Sequence, residues 1–312
     1  MSRILFIFSI LLCLSTSSFA DEGGVSFWIP GQIGSFAATQ AEPGWSLPIT
    51  YYHAWQDANA SKNIQFGGNI TAGLEAATDL IFLTPTYTLK DSYLGAQMAL
   101  SLTFAAGYSA VEGDVNARFP ANTVSHNRTD YASGPTDLYP MVSLKWSKGD
   151  LHNFLAYGTF NIPTGGFDGT KLTNMGLGHT SADVGAGYTY FDAKMGQEFS
   201  TTLGVTYNFE NTHTNYQNGV DMHLDAAASQ TWANNFLLGV VGYFYFQLSD
   251  DSGSGALISG YRSTVAALGP QAGYFLPVEK KNWFLNLKGY YEFLASDRPE
   301  GWNVWLTLAM TF

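Results

Sequence analysis

The last eleven residues, Trp302 to Phe312 (WNVWLTLAMTF), constrain the fold more than any other stretch. Taken in steps of two, Trp302, Val304, Leu306, Leu308, Met310 and Phe312 make one unbroken apolar row, while Asn303, Thr307 and Thr311 fall on the other. Period two is the mark of a strand with two unlike faces. A tilted strand of about 9–11 residues is also the length that crosses a hydrocarbon core. An apolar row running to the very end of the chain therefore predicts a strand with lipid on one side.

Composition agrees. Only 12% of residues are charged and 15% are aromatic, with mean hydropathy of −0.02, where soluble domains carry about 25% charge. No apolar run reaches the roughly 18 residues of a membrane helix. Apolarity diluted by alternation fits lipid outside and water inside. A sheet in hydrocarbon can leave no edge, because each unpaired N–H or C=O costs several kcal/mol. The fold class expected is therefore all-β, a transmembrane antiparallel up-and-down barrel of about 12 strands over residues 44–312. A soluble β-sandwich is the alternative, though sandwiches seldom combine so many aromatics with so few charges. A terminal strand ending in an aromatic residue resembles bacterial outer-membrane barrels. That resemblance implies outer-membrane lipid around the chain and recognition of Phe312 by the barrel assembly machinery.

The N-terminus reads as a cleaved signal peptide over 1–20: Arg3, then Ile4 to Leu14, then Ser18-Phe19-Ala20. Cys13 is the only cysteine and leaves with it, so disulfides and thiol chemistry are excluded. The net charge of −11 becomes one more negative without Arg3. An acidic chain of this kind argues against nucleic acid. Residues 21–43 hold Trp28-Ile29-Pro30-Gly31, whose Pro and Gly disfavour a long strand; this segment is expected at the periplasmic mouth or in the lumen.

Strand one is expected from about Trp45 to Trp55, followed by a loop with Gly67 and Gly68, then a strand from Leu74 to Leu89. A turn at Lys90-Asp91-Ser92 leads to Tyr93–Ala110, and 111–134 reads as a long polar loop. Leu138, Val142, Leu144 and Trp146 alternate with Asp137, Tyr139, Ser143 and Lys145. Further strands follow at 154–162, 182–191, 199–209, 220–232, 236–248, 262–276 and 283–294. Short turns (Ser147–Asp150, Asp192–Gln197, Asn234-Asn235, Glu279-Lys280-Lys281) alternate with long connections. In such barrels the short turns are periplasmic and the long loops extracellular. Trp45, Trp232, Trp283 and Trp302 fall near strand ends, where interfacial girdles sit.

Asp221, His223 and Asp225 share one face of their strand, opposite Met222 and Leu224, and are expected to line the lumen with Glu210 and Gln247. Lys288 and Glu292 belong to the inward row of the penultimate strand, and Lys288 could pair with Glu210. Lys or Arg facing lipid at midplane would cost about 2–4 kcal/mol. These residues either contact solute or simply brace the wall. No metal set, cofactor site or catalytic residue is identified. Asp250 to Gly255 lacks the distal Glu of a calcium loop, and Pro163-Thr164-Gly165-Gly166 lacks phosphate-loop spacing.

ENTHTNYQNGVDMHLD (210–225), FNIPTGGFDG (160–169), GYFYFQLSDDSGSGA (242–256), ALGPQAGYF (267–275), SDRPEGW (296–302) and WIPGQIG (28–34) together resemble the MetA-pathway-of-phenol-degradation family of outer-membrane transporters. The resemblance implies a barrel that takes up small hydrophobic, often aromatic, compounds, and no catalytic residues. The alternatives are a barrel enzyme acting on lipids, which would need a Ser–His pair on the outer face, and a structural barrel.

Overall fold

The computed structural model describes residues 26–66, 69–118, 123–256, 262–279 and 281–312. The expected signal peptide, the Gly67–Gly68 loop and Lys280 lie outside them.

Among the described residues, fourteen strand segments build one antiparallel sheet closed on itself: β1 (Gly44–Phe66), β2 (Asn69–Leu83), β3 (Thr86–Tyr93), β4 (Ala96–Arg118), β5 (Thr123–Pro135), β6 (Tyr139–Lys148), β7 (His152–Phe160), β8 (Ser181–Asp192), β9 (Gln197–Asn208), β10 (Asp221–Thr231), β11 (Phe236–Gln247), β12 (Thr264–Val278), β13 (Lys281–Ser296) and β14 (Glu300–Thr311). Closure is made by β14 against β1, in register from Ser46↔Thr311 to Asp57↔Glu300.

Fourteen segments make twelve barrel strands because two strands are each broken once. β2 and β3 are collinear: β2 pairs with the upper part of β4 and β3 with its lower part. Pro85 interrupts them, having no N–H to give the ladder, while Thr84 N–H still reaches the Pro48 carbonyl at 3.0 Å. β5 and β6 likewise share β4 as partner and are split at Thr136–Leu138.

Three sequence expectations need correction. The span 111–134 is not a loop: β4 continues to Arg118 and β5 returns antiparallel beside it. This hairpin stands beyond the band of apolar outer residues, so neither face needs to be apolar and alternation gives no signal. Strand one runs to Phe66 for the same reason. The turn expected at Lys90–Ser92 sits at Leu94-Gly95, the two residues with positive φ (53° and 73°), and Lys90–Ser92 stay in β3.

The outer face carries the apolar rows. Ile81, Leu100, Val184, Leu203, Leu238 and Leu306 are exposed there. Trp45 against Tyr87 (5.1 Å) and Trp232 against Phe236 (6.4 Å) mark the end with the short turns. Tyr108 against Tyr131 (6.2 Å) marks the other. The inward rows are polar and buried: Glu198, Ser200, Thr202, Thr206 and Asn208 on β9 alone.

Candidate functional site

The lumen is threaded by the chain's own N-terminal segment, Ser26 to Ala41. Its Pro30-Gly31 turn cannot hold a strand ladder, so its backbone N–H and C=O groups must find other partners. They find the polar inward rows. Gly31 N–H donates to Asp225 Oδ1 at 2.8 Å and Ile33 N–H to Oδ2 at 3.3 Å. Lys288 Nζ donates to the carbonyls of Gly31 (2.5 Å) and Gln32 (3.2 Å), and Tyr290 OH to that of Gly31 (3.2 Å). Further down, Phe36 N–H reaches Glu198 (3.1 Å), Ala38 N–H reaches Thr189 (3.0 Å), and Ser35 Oγ donates to Gln271 (3.1 Å). Lys145 Nζ and Gln97 tie Thr39 and Ala41 at the lower end.

The Trp28 indole lies flat on the His223 ring, with centroids 3.9 Å apart and planes 13° apart. His223 Nε2 meets Asp183 Oδ2 at 2.9 Å, an oxygen that also accepts from Thr206 Oγ1 at 2.6 Å. Gly204 makes room for this group: a Cβ there would lie 2.4 Å from both His223 and Tyr157.

The predicted site residues therefore divide. Asp225, Lys288 and His223 hold the luminal segment. Asp221 accepts from Asn208 Nδ2 at 2.7 Å, within the wall. Gln247 bridges Asp251 (2.5 Å), Ser249 and Ser263 and anchors the loop after β11. Glu292 accepts from Tyr243 (2.7 Å), Gly301 N–H (2.9 Å) and Gln56 (3.0 Å). Glu210 is the correction: it lies past the end of β9, exposed, and the Lys288 ammonium goes to the Gly31 and Gln32 carbonyls instead.

Almost all ties of the upper and middle segment come from β8, β9, β10, β12 and β13. The opposite side of the lumen is left open as two cavities. The upper, about 160 Å³, lies between residues 167–179 and the inner face of β2 and β4, lined by Leu74, Leu80, Val111, Leu172 and Leu177. The lower, about 240 Å³, is lined by Trp305, Phe82, Met141 and Ile33, with Thr50, Thr84, Thr103 and Thr307. Those threonines satisfy one another across strands, Thr50 with Thr307 at 2.9 Å and Thr84 with Thr103 at 3.0 Å. The lower cavity thus offers hydrophobic surface with few free polar groups.

The upper cavity is roofed by the connection from β7 to β8, and Asp137 holds that roof. Its buried carboxylate accepts from Gly165 N–H (2.9 Å), Leu177 N–H (3.1 Å) and Asn161 Nδ2 (2.8 Å). Asp137 sits in the break between β5 and β6. Above that break β5 pairs with β4 alone among the described residues, so its other edge has no ladder partner beside the upper cavity. The roof also contains His179, buried, with Nδ1 3.0 Å from the Leu177 carbonyl. Burial pushes its pKa below the ordinary imidazole value.

Sequence reasoning placed Asp137 and Tyr139 on an alternating row without giving them a role, and did not single out Asp183, Glu198 or Phe27. The available signal was the Trp28–Gly31 turn, which breaks strand periodicity amid apolar residues and so calls for partners elsewhere.

A family model described as the MetA-pathway of phenol degradation matches residues 59–308. No curated protein is matched. Among solved structures, the COG4313 outer membrane channel from Pseudomonas putida F1 superposes with a TM-score of 0.64 at 12% identity, over 89% of this chain and 98% of the other. A Pseudomonas aeruginosa FadL homologue (TM-score 0.43, 7% identity, 95% and 98% covered) and the CymD monoaromatic hydrocarbon channel (0.40, 8%, 88% and 90%) are more distant.

Proposed function

Because the chain belongs to the MetA-pathway of phenol degradation family, we propose that it is an outer-membrane channel that takes up small hydrophobic compounds, aromatic ones among them, by passive diffusion. The observation that carries this reading is the pair of cavities in series beside a tethered luminal segment. A wide water-filled pore would suit hydrophilic solutes. Two chambers of about 160 and 240 Å³, walled mainly by apolar side chains although the upper also presents Gln56, Lys171, Asn174 and His179, suit a small, largely apolar molecule instead; an apolar cavity of about 150 Å³ holds benzene. The similar fold of the Pseudomonas putida outer membrane channel is in keeping with this. Location in the outer membrane rests on the barrel type and on the apolar outer belt.

The test is uptake of radiolabelled toluene by cells with an intact lipopolysaccharide outer membrane, with and without the barrel. Faster uptake with the barrel supports the reading, and equal rates overturn it.

A lipid-acting enzyme is the second reading, and one observation favours it. On the outer face His53 Nδ1 lies 2.8 Å from Asp79 Oδ1, which also accepts from Tyr51 OH at 2.5 Å. This is a histidine oriented by a carboxylate, but among the described residues no serine hydroxyl is hydrogen-bonded to it. Release of fatty acid from lipid vesicles by the native barrel, lost in His53→Ala, would favour the enzyme.

A further inference from the structure

We propose that Phe27, Ile29 and Tyr139 form the constriction between the two chambers, so that side-chain motion there, with the luminal segment still in place, decides which solutes pass. Those three residues line both cavities. On β1, β2 and β4, which line both cavities, the lining changes level between them. On β2 it passes from Leu80 to Phe82, on β4 from Ser109 to Thr103, and on β1 from Gln56 to Thr50. The two chambers are thus stacked along the barrel, and a solute going from one to the other passes these three side chains.

The constriction is closed by contact. The Phe27 and Tyr139 rings stand 5.7 Å apart at 41°, and Phe27 is buried. Ile29 packs on the cluster of Tyr52, Leu80, Tyr243, Tyr290 and Trp305. Tyr139 is the first residue of β6, immediately beyond the wall's break.

Whole-segment ejection is the competing route, and the ties argue against it. Moving Gly31 would strip a buried carboxylate and a buried ammonium of their partners, which is costly. Phe27 and Ile29, by contrast, face the cavities. Their rings and branches can change rotamer without breaking a hydrogen bond, and apolar constrictions of this sort gate by admitting or excluding water and solute.

The inference deepens the uptake reading but its first test is independent of it. Single-channel conductance is recorded in planar bilayers for the native barrel, Phe27→Ala, Ile29→Ala and Ile29→Phe, each checked for folding by heat-modifiable gel mobility. The alanine variants are expected to raise conductance several-fold and Ile29→Phe to lower it. Unchanged conductance in folded Phe27→Ala and Ile29→Ala overturns the constriction, whatever the solute results. Uptake of toluene, naphthalene and phenanthrene by cells then gives the second readout. Phe27→Ala is expected to raise phenanthrene uptake relative to toluene, and a fixed ratio argues for ejection of the segment. If no solute enters faster than in barrel-free cells while conductance responds as stated, the constriction stands and the hydrophobic-uptake reading fails.

Discussion

Asp225 and Lys288 grip the same residue from opposite ends: the carboxylate takes the N–H of Gly31 and the ammonium takes its carbonyl. A buried charge is tolerable when it is hydrogen-bonded and balanced by an opposite charge. Here the balance is struck through the two peptide groups that flank Gly31 in the luminal segment, so the wall charges and the segment depend on one another.

Replacing Lys288 by Met should therefore cost on the order of 3–5 kcal/mol, the usual penalty of leaving a buried partner charge alone. Lys288→Met with Asp225→Asn should lose less than the sum of the two single changes. Heat-modifiable gel mobility as a function of temperature provides the double-mutant cycle, and strict additivity would show that the two residues act separately.

Gly31→Ala should loosen the segment locally and leave the barrel folded. Gly31 has φ +85°, and an added Cβ would lie 3.0 Å from both Tyr243 and Tyr290. Left-handed strain at a non-glycine residue is worth about 1–3 kcal/mol. A cysteine introduced at Phe27 in this background should react faster with a maleimide than in the native background.

Asp137→Ala should release the roof of the upper cavity, since three donors lose one acceptor. Hydrogen exchange over 163–179 should accelerate while the β9–β10 ladder keeps its protection. Equal protection across the roof in native and variant barrels would show that other contacts hold it.

The roof should also respond to acid through His179. Its pKa is depressed in the folded protein by burial, so its contribution is fully present above the unfolded value of about 6.5 and lost as pH falls through the lower folded value. Protection factors over 163–179, corrected for the intrinsic pH dependence of amide exchange, should fall between neutral and mildly acidic pH, and His179→Gln should flatten that dependence.

Above the outer aromatic ring, Glu300, Asp57, Glu75 and Glu112 stand directly opposite one another on β14, β1, β2 and β4. Like charges in register are destabilising by roughly 0.2–1 kcal/mol a pair. Glu75→Gln should raise the thermal midpoint at low ionic strength, with the gain shrinking as salt screens the row.

Much of this molecule is readable from period two. The strands at 199–209, 220–232 and 236–248 are found within a residue or two because each presents lipid on one side and a polar interior on the other. The reading fails where that contrast ends. The far part of the β4–β5 hairpin, residues 111–134, stands beyond the apolar outer rows, and the breaks at Pro85 and Asp137 preserve the pattern while interrupting the ladder. The inward placement of Asp221, His223, Asp225, Lys288 and Glu292 was likewise legible from alternation, but their partners were not.

The sequence by itself determined the closed barrel, because a strand facing hydrocarbon must alternate and a sheet there can leave no edge. Only the tertiary structure decided what the inward polar residues do. Their partners lie up to 259 positions away in the chain, as with Gly31 and Tyr290, and local periodicity carries no information about which distant backbone group a buried side chain will meet. The same holds for the chambers. They are the space left when an irregular segment is fastened to one side of a barrel, and no single stretch of the chain encodes them.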